Sequence, residues 1–447
     1  MRAKVKAFLS QPVRVIPLGF LAAILAGTGL LMLPVSQAGP GATRLTDAAF
    51  TATSAVSVTG LATVDTPVHW STFGQVVILA CIQIGGLGLM TSAVLLGLLV
   101  SRRFGLRTTL MARAEHSVAL DLGDVRSVLL RTLAFTAAGE LVIAAILTAR
   151  FGSYGYGAHS LWLGVFHSVS AFNNAGFALF SDSIMGFATD PWISLPLAAG
   201  TILGGLGMPV VFELTRRGRR RRRWSVHTKM TLTGSAILLV GGTVAFLAFE
   251  WTNPATLGQW PWHDRFLPAF FQSAVARTSG FNSIDVGAMN EDSLLATIIL
   301  MFIGGGSAST AGGIKVTTFF VLLWVIWAEL RGERDVNAFR RRIGPAVIRE
   351  ALTVALVFIA CNAFGVFLMQ HFERDTELTA VMFEVTSAFA TVGQSTGITF
   401  DLSDPSKWLL AIAMYTGRVG PVLFAASLAL RTRRRLYRYP ETRPLVG

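Results

Sequence analysis

Long apolar runs alternate along the chain with short segments that are too polar and too brief to cross a bilayer. The apolar runs fall at roughly 16–34, 73–100, 128–147, 193–212, 230–249, 294–330, 347–369 and 408–430. Each is near or above the ~20 residues that span a hydrocarbon core, which predicts eight crossing helices. Between the two members of each successive pair lies one recurring phrase: a phenylalanine, nine residues, then a glycine. It reads FTATSAVSVTG from Phe50 to Gly60, FHSVSAFNNAG from Phe166 to Gly176, FFQSAVARTSG from Phe270 to Gly280, and FEVTSAFATVG from Phe383 to Gly393. The glycines stand 116, 104 and 113 residues apart, and six residues before them sit Ser54, Ser170, Ala274 and Ser387. A phrase at this period marks an internal repeat.

The repeating unit is therefore helix, short half-helix, glycine strand, helix. Residues 1–114, 115–224, 225–342 and 343–447 make the four units, the third with an interrupted second helix and the fourth with a basic tail. At 11 to 14 residues, the polar segments read as re-entrant half-helices, because irregular backbone at membrane depth survives only where protein buries it or water reaches it. The expected fold is an all-α integral membrane protein with four helix–pore-loop–helix repeats, pseudo-fourfold around a central pore.

Composition fixes the medium. With 447 residues, 52% hydrophobic and 14% charged, the chain has too few charges to coat a soluble domain of its size. Its net charge of +13 lies in short basic runs between apolar segments, which favours a membrane over nucleic acid as partner. Cys81 and Cys361 lie inside apolar stretches with no metal spacing and no disulfide framework. The basic head and apolar run at the N-terminus share features with a signal peptide, but the first phrase follows so closely that a retained helix is the better reading.

Charge placement tests the topology. Arg102, Arg103, Arg107 and Arg113 follow the first unit, Arg216 to Arg223 the second, Arg331 to Arg342 the third, and Arg431 to Arg438 the fourth. Positive loops stay inside, so both termini and all joints between units are expected in the cytoplasm of a multi-pass plasma (inner) membrane protein. The same runs attract anionic lipid. The opposite side holds Asp65, Asp182, Asp190, Asp264, Asp285, Glu291, Asp292, Glu373, Asp375, Glu377, Asp401 and Asp404. These either concentrate cations at a pore mouth or are plain polar loop residues.

A glycine strand suits cation passage, since a dehydrating ion needs inward backbone carbonyls and glycine permits the backbone angles that turn them inward. The C-terminal end of each half-helix adds partial negative charge. The competing reading is close helix packing at small residues, which a fourfold placement at a fixed offset disfavours.

The phrases SVTGL, FNNAGF, RTSGFN and ATVGQ, the segment IGGGSASTAGGIK and the helix containing GRVGP resemble the ion-conducting subunits of the Trk/Ktr/HKT superfamily of potassium transporters, over nearly the whole chain. The lack of an extra helix pair before the first unit is more similar to the KtrB branch than to TrkH. The resemblance implies a pseudo-fourfold potassium filter with carbonyls from Val58, Thr59 and Gly60; Asn174, Ala175 and Gly176; Thr278, Ser279 and Gly280; and Thr391, Val392 and Gly393. Each repeat has one glycine with unlike flanks, so discrimination against sodium is expected to be loose.

The third unit's second helix is broken by Gly304, Gly305, Gly306, Ser307, Ala308, Ser309, Thr310, Ala311, Gly312 and Gly313, five glycines that each cost ~1 kcal/mol in a helix. The resemblance makes this a gating intramembrane loop, with a plain kink as the alternative. It also places Arg418, a charged residue near mid-helix, beside that loop. Lys315 is expected to snorkel to the cytoplasmic surface. A homodimer and a cytoplasmic KtrA-like nucleotide-binding ring are implied as partners, since this chain has no Walker or GxGxxG unit of its own. No cofactor is expected beyond the transported potassium ion, with sodium as a further candidate.

Four charged or polar residues stay open. Arg277 and Glu384 either pair to brace two half-helices or face an outer vestibule, and His167 reads as a packed half-helix residue with no second histidine at metal spacing. Glu140 lies within a span and reads as a structural hydrogen-bond partner, with a proton or sodium site as the alternative. A secondary active transporter with a midplane site remains the second functional class. An enzyme is a distant third, because no catalytic constellation recurs in the polar segments.

Overall fold

In the computed structural model the described residues are 12–39, 41–103, 125–217 and 224–430. They form fifteen α-helices and one small hairpin. The first repeat contains α1 (Pro12–Leu31), α2 (Leu45–Ser57), α3 (Thr66–His69) and α4 (Thr72–Arg103); the second contains α5 (Val125–Ser153), α6 (His159–Phe172), α7 (Pro191–Leu206) and α8 (Met208–Arg217). The third contains α9 (Val226–Glu250), α10 (Phe266–Val275), α11 (Glu291–Phe302) and α12 (Val316–Leu330), followed by β1 (Asn337–Ala338) and β2 (Arg341–Arg342), paired antiparallel with Asn337 opposite Arg342. The fourth contains α13 (Pro345–Phe372), α14 (Leu378–Phe389) and α15 (Asp404–Leu430). The predicted half-helices are α2, α6, α10 and α14.

Burial is inverted relative to a soluble protein. The apolar windows of α5, α9 and α13 are only 28%, 17% and 22% buried, and Leu141, Val142, Val240, Val244, Phe364 and Phe367 point outward. The short half-helices lie inside despite their hydroxyls: every residue of α2 from Asp47 to Ser57 is buried. Apolar residues outside and polar residues inside are stable only where the surroundings are lipid. This is a multi-pass membrane protein.

Four helices are individually long and apolar enough to cross a bilayer, at Thr72–Ser92, Val128–Ser153, Val226–Glu250 and Pro345–Phe372. α7 and α8 make a fifth as a pair bent by 95°. By length and composition that is four or five spans among the described residues, against eight expected. The shortfall has local causes: the apolar part of α1 is Val15–Leu31, the third repeat's second crossing is split into α11 and α12, and α15 carries Asp404, Lys407 and Arg418. The bend between α7 and α8 corrects the continuous helix expected over 193–212. Gly207 has φ +89, and a Cβ there would strike the carbonyl of Ser307.

In each repeat the end of the first long helix is clasped to the start of the second. The backbone N–H of Ser71 donates to Ser36 O (3.0 Å), Arg150 Nε pairs with Asp190 (2.6 Å), and the N–H groups of Asn290 and Ser403 donate to Glu250 and Glu373 (2.9 Å each). Asp190 also caps α7 through the Trp192 N–H. Arg44 pairs with Asp404 (2.8 Å), joining the first and fourth repeats. Several of the predicted acidic-side residues thus serve as clasps and caps. The basic positions 107, 113, 219–223 and 431–438 lie outside the described residues. The run after the third repeat is described: Arg331 stacks on Trp327, and Arg342 pairs with Asp335 (3.0 Å) beside the hairpin.

Candidate functional site

The four phrase glycines meet one another. A Cβ on Gly60 would strike the carbonyl of Ala175, one on Gly176 the backbone nitrogen of Gly280, one on Gly280 the carbonyl of Gly393 (2.8 Å), and one on Gly393 the carbonyl of Thr59. The contacts run from first repeat to second, second to third, third to fourth and fourth back to first. Four backbone segments therefore close a ring in chain order, with the first repeat opposite the third and the second opposite the fourth. Val58, Thr59, Asn174, Ala175, Gly176, Thr278, Ser279, Gly280, Thr391, Val392 and Gly393 are buried and Gly60 is half-buried. The glycines pack backbone against backbone within the ring, which is not the helix-flank packing that small residues usually serve.

Local structure explains how three of the segments are held. In the first, second and fourth repeats the half-helix ends in a left-handed residue: Val58 (φ 56), Asn174 (φ 63) and Thr391 (φ 50). The next N–H groups, of Thr59, Ala175 and Val392, donate back to Ser54 O, Ser170 O and Ser387 O at 2.7–2.8 Å. This is the six-to-one bond that closes many helix C-termini, although the left-handed position usually falls to glycine rather than to β-branched Val or Thr. The glycine two residues on again has positive φ (106, 71 and 93). Ser54 Oγ and Ser387 Oγ accept the N–H groups of Gly60 and Gly393 (3.0 Å each), while Ser170 Oγ donates to Phe177 O (2.8 Å). The serine at this offset is thus a strap for the strand.

The third segment departs at every point. Ala274 supplies no hydroxyl, neither Thr278 nor Gly280 has positive φ, and Ser279 N–H bonds to Val275 O in ordinary helical register (2.8 Å). Thr278 is held by a neighbour instead. Its hydroxyl lies 2.9 Å from the Asn174 amide, which in its best-satisfied orientation accepts from Thr278 and donates to Thr201 O and Ala171 O.

A further set of glycines had no assigned role in the sequence. A Cβ on Gly85, Gly204 or Gly417 would strike Val56 O, Phe172 O or Phe389 O, each the carbonyl four residues before a ring glycine. These three glycines let the second long helix press directly on the half-helix end. The signal was visible in IGGLGLM, LGGLGMP and YTGRVGP, but the partner was not.

The broken segment of the third repeat forms an irregular loop from Ile303 to Lys315. Its ends are pinched together by Gly304 N–H to Ile314 O (2.9 Å), Ile314 N–H to Phe302 O (3.0 Å) and Val316 N–H to Gly305 O (3.0 Å). Its body docks into the α7–α8 bend, where Gly306 N–H donates to Gly205 O, Thr310 N–H to Gly204 O, and Met208 N–H to Ala308 O (2.8–3.2 Å). A Cβ at Gly312 would strike Ala390 O and Thr391 Oγ1, so the loop also touches the end of the fourth half-helix. Arg418, 2% exposed, donates to Thr310 O. A small cavity beneath the loop is lined by Ala308, Ser309, Gly312, Lys315 and Arg418. Ser307, Ala311 and Gly313 complete the segment, Ala311 N–H bonding to Ser309 Oγ (3.2 Å).

The other singled-out residues resolve individually. Lys315 does not reach outward: its Nζ donates to Ala311 O (2.6 Å), so it braces the loop. Arg277 and Glu384 do not bond to each other. Arg277 donates to Ser235 O (3.3 Å), whereas Glu384 accepts from Ser395, Thr399 (2.9 Å) and the Thr396 N–H (3.1 Å). His167 is fully buried between Phe180 and Phe281. Glu140 holds Asn173 (2.9 Å) and Gln83 (3.3 Å), the structural hydrogen bonding expected of it.

A closed ring of four backbone segments, set inside a shell of lipid-facing helices, defines the class as a multi-pass membrane protein. The chain belongs to the TrkH family of cation transport proteins, whose family model matches residues 17–431. It is similar to Ktr system potassium uptake protein B of Bacillus subtilis (39% identity, 98% of this chain, 97% of that one) and to the protein of the same name from Vibrio alginolyticus (42%, 97% and 94%). It is also 35% identical to the potassium/sodium uptake protein NtpJ of Enterococcus hirae, over 100% of this chain and 99% of that one. The crystal structure of the potassium transporter TrkH from Vibrio parahaemolyticus has the same fold, with TM-score 0.68, 18% identity and coverage of 93% of this chain and 84% of that one. This membership places the chain among ion transporters rather than enzymes.

Proposed function

We propose that this chain takes potassium into the cell through a channel-like pore, with the ring of Gly60, Gly176, Gly280 and Gly393 as its selectivity filter. The observation that carries the reading is the cyclic backbone contact of the four segments, because a ring of carbonyls is what a dehydrating cation requires. The names of the Bacillus and Vibrio relatives support potassium as the ion. Four half-helices inside eight crossings, pseudo-fourfold about the ring, make the pore. The loop 304–313 is the gate, held shut by its docking at Gly207 and by Arg418 and Lys315. Both termini and the basic joints lie in the cytoplasm, beneath the plasma (inner) membrane, where a KtrA-like ring bears on a homodimer of this chain.

Sodium passage is the second reading. It is favoured by the third segment, which lacks the left-handed geometry and serine strap of the others, and by the name of the Enterococcus relative. The test is flux into liposomes at an imposed potential, with potassium or sodium as the sole permeant cation. Passive potassium-favouring flux, raised when residues 306–312 are replaced by a short linker, is the expected result. Flux that requires a sodium or proton gradient overturns the channel reading and leaves a coupled transporter.

A further inference from the structure

The position nine residues before each ring glycine holds Thr51, His167, Phe271 and Glu384. In the second repeat His167 Nε2 accepts the backbone N–H of Leu179 (3.2 Å), and in the fourth Glu384 Oε1 accepts the backbone N–H of Thr396 (3.1 Å). Both donors lie three residues after the ring glycine. Unlike side chains thus make the same bond at the same place in two repeats, from half-helix to the strand leaving the ring. Both acceptors are fully buried at 0% exposure. The other two repeats lack the bond. Thr51 and Thr63 stand at the matching places in the first, each with a buried hydroxyl and no partner, and Phe271 in the third has no acceptor at all.

Because the ring closes in chain order, the two bonded repeats face each other across it. We infer that His167 and Glu384 are paired positioning residues that hold the two opposed strands leaving the ring at a fixed separation and thereby set the preference for potassium over sodium. This rests on the filter reading above. A carbonyl ring favours the larger ion only while its segments resist closing on the smaller one, and a strand tied back to its own half-helix resists closing. The acceptors are themselves fixed. His167 Nδ1 bonds Leu163 O (2.8 Å), which places the proton there and leaves Nε2 to accept, and its ring stacks on Phe180 at 5.1 Å. Glu384 takes two further donors, Ser395 Oγ and Thr399 Oγ1, from the strand it straps.

The test uses the full chain in liposomes, with potassium and sodium influx measured separately and resolved into KM and maximal rate. His167→Phe keeps an aromatic ring for the stack and removes the acceptor, reproducing the third repeat's side chain. Glu384→Ala removes the acceptor, while Glu384→Gln retains a carbonyl oxygen that can accept the same N–H. Loss of a single such bond is expected to lower the potassium-to-sodium flux ratio about tenfold in His167→Phe and in Glu384→Ala, chiefly by raising the potassium KM. Glu384→Gln is expected to stay within about twofold of the parent, a conservative rescue that a purely electrostatic role does not give. An unchanged ratio in monodisperse His167→Phe overturns the inference, as does Glu384→Gln falling as far as Glu384→Ala. If Glu384→Ala does not fold, His167→Phe decides. A parent protein without potassium-favouring flux instead overturns the filter reading itself.

Discussion

The third ring segment and the other three solve one problem differently. In the first, second and fourth repeats a left-handed residue, a positive-φ glycine and a serine at a fixed offset fold the strand back on its half-helix. The third has none of these and leans on Asn174 of its neighbour through Thr278. It is also the repeat whose second helix breaks into the loop. The repeat whose second helix is broken is therefore the one without the serine strap and left-handed turn at the ring. If the loop is the gate proposed above, the repeat that carries it is the one whose ring strand is held by a neighbour rather than by its own half-helix.

The largest predicted effect comes from adding one methyl group to the ring. In Gly393→Ala the Cβ strikes Thr59 O at φ 93, so potassium flux is expected to fall by more than about tenfold relative to monodisperse parent protein. Gly280→Ala meets Gly393 O at 2.8 Å without positive φ and is expected to retain more flux. Equal losses in the two would erase the distinction between the third segment and the rest.

Next in size is the loop. Gly207→Ala drives a side chain into Ser307 O, and Arg418→Ala removes the donor to Thr310 O. Each is expected to raise basal flux severalfold, read as the initial rate of rubidium uptake. Flux at the parental rate in both removes the gate from the account.

Smaller again are the serine straps. Ser387→Ala leaves the Gly393 N–H without its partner and is expected to cost about 1 kcal/mol of stability in detergent, measured by denaturant midpoint. Ala274→Ser adds a hydroxyl where the third strand has no turned-back N–H to meet, and no gain is expected. A matching gain would show that the third segment differs by accident of sequence.

The smallest effect is on pH. Burial raises the Glu373 carboxyl, but hydrogen bonds from Ser403 and Ser406 outweigh it, and its pKa lies below the ordinary carboxylate value. A group with a depressed folded pKa stabilises the protein above its unfolded pKa, and that contribution fades as pH falls through the folded one. Thermal stability is expected to decline slightly more steeply between pH 5 and about pH 3 in the parent than in Glu373→Gln.

Much of this was legible in the chain. The glycine period marked the four segments that meet at the ring, hydropathy marked the lipid-facing helices though not eight full spans, and the five glycines near Ser307 marked the break in the helix, because each is a local rule of spacing or composition. The serine at the fixed offset was visible as a pattern but not as a strap, since a hydroxyl has no direction in a sequence. What stayed hidden depended on approach between distant segments. The bend at Gly207 exists because Ser307 O occupies the space a side chain would need, and Gly85, Gly204 and Gly417 are explained by carbonyls of other helices. Lys315 was expected to obey the general habit of long basic side chains, but Ala311 O lies within reach of its ammonium. Arg277 and Glu384 lie in different repeats, and complementary charge alone does not bring them together.

The most direct test of the central claim is to locate a heavy permeant cation in the purified protein. Crystals grown in rubidium or thallium, measured at the ion's absorption edge, are predicted to show anomalous peaks on the axis encircled by Gly60, Gly176, Gly280 and Gly393. Peaks away from that axis, at Glu140 between α4 and α5 for instance, with none inside the ring, would contradict the account.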